Sequence, residues 1–123
     1  DAVRSVYPDA TLGKADNGSA KIEYTEDKII TTIRFMNCQE DGSNCSTLNF
    51  YAGWANTGFK SLDRINEYNA NRRFSRAYMD DVGDPCVEMD IDLDFDGLPR
   101  KNFIEYLNTW SLTIHDFRNF ISE

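Results

Sequence analysis

The sequence predicts an α+β fold, an antiparallel sheet of about five strands with helices packed on it, in the order α-β-β-β-α-β-β-α. Three observations lead there. Two stretches of the chain alternate apolar and polar residues with period two, a segment of helical spacing separates them, and a second and longer helical pattern closes the chain. The strands come as neighbours joined by short polar turns, which suits hairpins rather than the long crossovers of a parallel sheet. At 123 residues the expectation is one domain spanning 1–123.

The elements follow in order. A short helical start over Ala2 to Tyr7 is cut by Pro8, and Asp16-Asn17-Gly18-Ser19 is a turn signal. Lys21 to Thr25 and Lys28 to Asn37 read as strands parted by Glu26-Asp27, with Ile29, Ile33 and Phe35 on one face. A polar loop, Gln39 to Asn44, leads into Cys45 to Trp54, where Leu48, Phe50, Ala52 and Trp54 share a face. The period then changes. Ser61 is an N-cap candidate, and Leu62, Ile65 and Tyr68 mark a helix ending near Arg72 or Arg73. Arg76 to Asp81 and Pro85 to Phe95 form a second hairpin turned by Val82-Gly83-Asp84. Val87, Met89, Ile91, Leu93 and Phe95 are expected inward, and Glu88, Asp90, Asp92 and Asp94 outward. After Asp96-Gly97, Pro99 suits a first helical turn, and Phe103, Leu107, Trp110, Ile114, Phe117 and Ile121 recur at helical spacing. This last helix, about five turns long, should lie across the sheet.

The cysteines carry the strongest structural inference. If Cys38 lies opposite Cys45 in an antiparallel hairpin, the same register sets Phe35 opposite Leu48 and Ile33 opposite Phe50, so core residue meets core residue while the thiols meet on the other face. A Cys38–Cys45 disulfide is therefore expected. Its eight-residue loop contributes about 2.5 kcal/mol in the chain-entropy model. Two alternatives stand beside it: reduced thiols in a cytosolic protein, or half of a metal site whose remaining candidates are only Cys86 and His115. A disulfide implies an oxidising compartment, periplasmic or extracellular. Cys86 has no mate in sequence and reads as an inert thiol or as one half of an intermolecular disulfide.

Composition narrows the function classes. Apolar content of 41% and aromatic content of 13% argue for a packed core. A net charge of -8 should repel phosphate backbones and anionic headgroups, so nucleic acid is not expected as a partner. No stretch approaches the roughly 20 apolar residues that span a bilayer, so no membrane insertion is expected. The chain opens at Asp1 without a basic and apolar leader, and the expectation is that a signal peptide has been removed.

No constellation for catalysis emerges. Asp92, Asp94, Asp96 and Gly97 match the first half of a calcium-loop spacing, but Phe103 falls where a bidentate glutamate is needed and Pro99 where the loop should continue. Asp80, Asp81, Asp84 and Glu88 gather at the second hairpin, where aspartates commonly bond local backbone. His115, the only histidine, reads as ordinary helix surface beside Ile114. Asn17-Gly18-Ser19 and Asn44-Cys45-Ser46 match an N-glycosylation triplet that arises often by chance. The one basic cluster, Arg72, Arg73 and Arg76 with Tyr78, either docks an acidic partner or closes the preceding helix, whose C-terminal dipole favours cations.

Phe35 to Cys38, Cys45 to Ala52, Leu62 to Asn69, Arg73-Phe74-Ser75-Arg76-Ala77-Tyr78-Met79-Asp80 and Gly83-Asp84-Pro85 with Val87-Glu88-Met89-Asp90 resemble the exported branch of the YbjN-like domains, bacterial proteins described as sensory-transduction regulators. The resemblance implies a fold like that of type III secretion chaperones and a protein-binding or regulatory role, often as a homodimer, with no catalytic residues to transfer. Cys86 stands where relatives are expected to carry a larger apolar or aromatic residue. The expectation is thus a noncatalytic periplasmic module with an unidentified protein partner, no cofactor and no metal. The alternative is a small-molecule or divalent-cation sensor built on the acidic second hairpin.

Overall fold

A computed structural model describes residues 1–123. The elements are α1 (Ala2–Val6), β1 (Thr11–Lys14), β2 (Ala20–Glu26), β3 (Ile29–Met36), β4 (Thr47–Gly53), α2 (Leu62–Asn71), β5 (Arg76–Met79), β6 (Pro85–Asp92) and α3 (Arg100–Ile121). The six strands make one antiparallel sheet in the order β1-β2-β3-β4-β6-β5. The α+β order is as the sequence predicts, with six strands rather than about five. The added strand is β1, four exposed residues with a glycine among them, which pairs only at the sheet edge. An edge strand with neither face buried leaves no alternation to read.

The hydrophobic register holds. Ile33 faces Phe50 and Phe35 faces Leu48 between β3 and β4, and Phe50 faces Met89 and Leu48 faces Ile91 between β4 and β6. These odd positions of β3 and β6 and even positions of β4 join α2 and α3 in one core. Phe50 meets Trp110 at 5.7 Å between ring centroids, and Phe117 meets Trp54 at 5.4 Å and Tyr68 at 5.0 Å. Trp110 is fully buried, and its indole N–H donates to Thr31 Oγ1 at 2.6 Å, which satisfies a buried donor that would otherwise cost stability.

Local chemistry sets the ends of the elements. Ser61 caps α2, its Oγ accepting from the Arg64 N–H at 3.1 Å. α3 starts after Pro99 and runs 22 residues, about six turns rather than five. β6 stops at Asp92, not at Phe95. Asp92 Oδ1 accepts the Asp94 N–H at 2.8 Å, the chain turns, and Phe95 is 95% exposed with φ +61°, so its expected inward position is corrected. A local side-chain-to-backbone bond ends the strand two residues before the parity pattern does.

The β2–β3 connection is tight. Asp27 and Lys28 both take positive φ, 48° and 69°, the left-handed pair that lets a two-residue turn follow the twist of its strands. This turn carries Asp27 toward α3, where Arg118 Nη1 donates to the Asp27 carbonyl at 2.8 Å.

Candidate functional site

All three helices share the core with one face of the sheet. The opposite face, which no helix covers, is formed by the even residues of β3 and β6 and the odd residues of β4. Register runs across it in rows: Lys21, Arg34, Asn49 and Asp90 in one, and Glu23, Thr32, Tyr51, Glu88 and Arg76 in the next. Parity predicts Glu88 outward. Its side chain is on that face but only 5% exposed, so the picture of a solvated acidic strand is corrected. Glu88 Oε1 accepts from Asn49 Nδ2 at 2.7 Å, Arg76 Nη2 at 2.9 Å and Arg34 Nη2 at 3.3 Å, and Tyr78 donates its hydroxyl to Oε2. Asn49, itself 1% exposed, also donates to Asp90 Oδ1 at 2.8 Å and accepts from Arg34 Nε and Nη2 at 2.8 and 2.6 Å.

Two arginines and two carboxylates thus neutralise one another at the centre of a chain of charge -8. Burial pushes Asp90 up, but the hydrogen bonds from Asn49 and Arg76 outweigh it and hold the carboxyl below its ordinary value. Beside this lattice the Arg34 guanidinium lies 4.8 Å over the Tyr51 ring. Tyr51 reaches along β4 over Gly53, where a Cβ would come within 2.8 Å of the Tyr51 hydroxyl oxygen. Glycine is what lets the tyrosine lie flat against the sheet. Burial drives the Tyr51 hydroxyl up to about 12, with the Cys86 sulfur beside it.

Cys86, opposite Gly53 and Tyr78 in register, is fully buried, and burial pushes its thiol upward. The intermolecular disulfide considered for it is corrected on that ground: its sulfur has no surface from which to meet another chain. Small enough to fit under Tyr51 and Tyr78, it packs as a small hydrophobe.

The basic cluster divides. Arg72 leaves the end of α2 and pairs with Asp116 of α3 at 3.0 Å while lying over the Tyr68 and Phe120 rings at 4.6 and 5.0 Å. Arg73 lies 5.1 Å from the ring of Phe74, which is 62% exposed. Arg76 and Tyr78 belong to the lattice on Glu88. The four residues therefore do not converge on one surface, because the chain turns from helix to strand between them.

The acidic hairpin is likewise engaged. Asp80 Oδ1 accepts the backbone N–H groups of Val82 and Asp84 at 3.1 and 2.8 Å, and Glu88 and Asp90 are held by arginine. The sulfurs of Cys38 and Cys45 lie 2.07 Å apart at the end of the β3–β4 hairpin. No helix is long and apolar enough to cross a membrane.

A second group of polar side chains gathers on the helical side, at the tip of the β2–β3 turn. His115 Nε2 lies 2.7 Å from Asp27 Oδ2, and Nδ1 lies 2.7 Å from the Ser111 carbonyl and 3.5 Å from Glu26 Oε2. Tyr7 and Ser111 donate their hydroxyls to the two oxygens of Glu26. The hydrogen bond to the Ser111 carbonyl, and then that to Asp27, hold the imidazolium above its ordinary value against the small effect of burial. His115 is therefore not the plain helix surface that its sequence neighbours suggest. Its partners lie 88 and 89 positions away in sequence, and only the docking of α3 against the turn unites them. Together Glu26, Asp27 and His115 present three ligand-type atoms within 4.8 Å of one another.

Residues 4–123 match a family, YbjN, described as "Putative bacterial sensory transduction regulator". No curated protein and no solved structure matches the chain.

Proposed function

Because the chain belongs to the YbjN family, matched over residues 4–123, we propose that it is a noncatalytic regulatory module that binds another protein through the helix-free face of its sheet. The observation that carries the reading is that this face combines a locked centre with accessible aromatic and apolar groups. Glu88, Asn49 and Cys86 are buried in the lattice, whereas Ile30 is 65% exposed beside half-buried Thr32 and Tyr51. Tyrosine and arginine held by neighbours lose little freedom on contact, which is why such residues dominate interface energetics. The local charge balance at the lattice, set against a chain of net charge -8, removes the electrostatic cost of bringing a second surface close. The family's regulatory description supports a partner different from the chain itself.

The Cys38–Cys45 pair supports an oxidising compartment, the periplasm for a bacterial protein. Alkylation of the native protein in whole cells tests this: both thiols should resist the reagent until reduction, and free thiols there would place the protein elsewhere.

Photo-crosslinking tests the face. A benzophenone residue at position 30, in the helix-free face, should capture a distinct protein from the native host, and the same group at Leu112, 74% exposed on α3, should not. Equal capture from both positions would refute the assignment. A product of twice the chain mass from position 30 would make the partner a second copy and overturn the heterologous reading.

A further inference from the structure

We propose that the free edge of β1 is a docking site for an extended segment of another protein, which adds to the sheet as a further strand with an aliphatic residue opposite Leu12 and basic residues at its two ends. The site is separate from the helix-free face and does not depend on the reading of that face.

The backbone of the edge is open. β1 ends the six-stranded sheet and pairs only with β2. Ala15 donates its N–H to the Ser19 carbonyl at 2.8 Å, so the hydrogen-bonded positions of this hairpin are Ala15, Gly13 and Thr11, and the intervening Leu12 and Lys14 turn their N–H and C=O groups away from β2. Nothing else in the chain bonds those groups. The opposite edge is built differently. On β5, Ala77 donates its N–H to Asn69 Oδ1 at 2.8 Å and its carbonyl accepts from Asn69 Nδ2 at 2.9 Å, so a side-chain amide from α2 already holds the place of a neighbouring strand. An unpaired edge is a template for an added strand, and of the two edges only that of β1 is left as one.

Strand addition draws affinity from the main chain and selectivity from pockets for alternate side chains. Leu12 lies opposite Ile22 and Ile22 opposite Ile33, which places Leu12 on the helical face of the sheet. It is 69% exposed, at a cavity of about 170 Å³ lined also by Val3, Ala10 and Ile22, with Asp1 and Arg4. In an antiparallel pair the residue opposite Leu12 points to the same face, so an aliphatic side chain there covers Leu12 and enters the cavity. Charge selects the ends of the segment. Asp9 and Asp16 bracket β1, both exposed and without an ion-pair partner, in a chain of net charge -8; Lys14 is the one cation of the strand. A segment centred on Leu12 brings its ends level with Asp9 and Ala15, where basic residues meet Asp9 and Asp16. Arg4 Nε donates to the Ala10 carbonyl at 3.0 Å, which marks where the open edge stops. A second copy suits the edge less well. Pairing β1 with its own copy joins two strands of four residues, far short of the roughly 1,200 Å² of a stable interface, and brings together two chains of charge -8.

The test uses the full chain, isotopically labelled, and a synthetic peptide, acetyl-Lys-Val-Thr-Val-Thr-Val-Lys-amide, whose central valine falls opposite Leu12. Backbone amide spectra should show saturable shifts and slowed hydrogen exchange at Leu12 and Lys14, with Ala77 unmoved. Methylating the backbone nitrogen of the central valine removes one ladder donor and leaves the protein untouched; it should weaken binding about 10-fold. Lys14→Pro, which an edge strand tolerates where the N–H faces solvent, should do the same. Exchanging the terminal lysines of the peptide for glutamates should weaken it further. Absence of saturable shifts at Leu12 and Lys14, affinity indifferent to both the methylated peptide and Lys14→Pro, or equal binding of the glutamate-ended peptide would each overturn the proposal. So would light scattering that shows the free chain dimerising with the Leu12 and Lys14 amides already protected, since the occupant would then be a second copy.

Discussion

Replacing Glu88 probes whether the polar lattice on the helix-free face is a structural unit or ordinary solvated surface. Glu88 accepts from Arg34, Asn49, Arg76 and Tyr78 and is 5% exposed. The two arginine side chains are 35% and 56% exposed, so each ion pair taken alone is screened and contributes only about 0.5–1 kcal/mol. The buried bond from Asn49 and the part-buried one from Tyr78 to a charged acceptor are stronger, about 1.5–3 kcal/mol each before the cost of burying the carboxylate is set against them. Glu88→Leu removes all four contacts and relieves that desolvation. Asn49 keeps Asp90 and Arg34 keeps Asn49, so no fully buried group is orphaned. The net loss should be about 2–4 kcal/mol, and Glu88→Gln, which keeps an acceptor and the shape, should lose about 1–2 kcal/mol. Urea unfolding followed by far-ultraviolet circular dichroism measures both, the midpoint falling with the slope unchanged. The loss should persist in molar salt, because a buried acceptor is little screened. A Glu88→Leu loss below about 0.5 kcal/mol, the range of an ordinary surface change, would refute the reasoning.

Asp90 adds a pH dependence. Its folded pKa is depressed below the ordinary 3.8, so its stabilisation is present above that value and is lost as pH falls through the folded value; the gap between wild type and Asp90→Asn in urea should therefore close in strong acid, and a gap independent of pH would contradict this. Cys38→Ala with Cys45→Ala should cost up to about 2.5 kcal/mol through the short loop released, measured by urea unfolding; an unchanged midpoint would mean the link does not constrain the unfolded chain. Phe95, 95% exposed at φ +61°, holds a left-handed conformation that asparagine adopts more easily, so Phe95→Asn should stabilise by about 0.5–1 kcal/mol in thermal unfolding, and a loss would show that the ring has a contact worth keeping.

Much of the fold is legible because it depends on short-range periodicity. The hairpin register follows from one requirement, that Ile33 and Phe35 meet Phe50 and Leu48, and the same sum of positions brings Cys38 to Cys45. The α3 stripe from Leu107 to Ile121 is equally readable, since one buried face must recur at helical spacing. β1 is not legible because an exposed edge strand carries no pattern, and the alternation runs on to Phe95 although the Asp92 side chain ends the strand earlier.

The sites were less legible, for a different reason. Parity assigns a residue to a face but says nothing of what lies over it: Glu88 is on the predicted face yet buried, as is Cys86 two residues before it on the same face, because Arg34, Tyr51, Arg76 and Tyr78 from neighbouring strands lean across them. The basic cluster looked continuous in sequence and was divided by the helix-to-strand turn at Phe74, which sends Arg72 to α3 and Arg76 to the sheet. By itself, then, the sequence determined the α+β order, the register of the β3–β4 hairpin and most of the apolar faces of β3, β4, β6 and α3, since these follow from local periodicity and the need to bury apolar residues. Only the tertiary structure decided that His115 meets Asp27 and Glu26, because that meeting depends on the rotation of one helix and the reach of one two-residue turn, which no local pattern encodes.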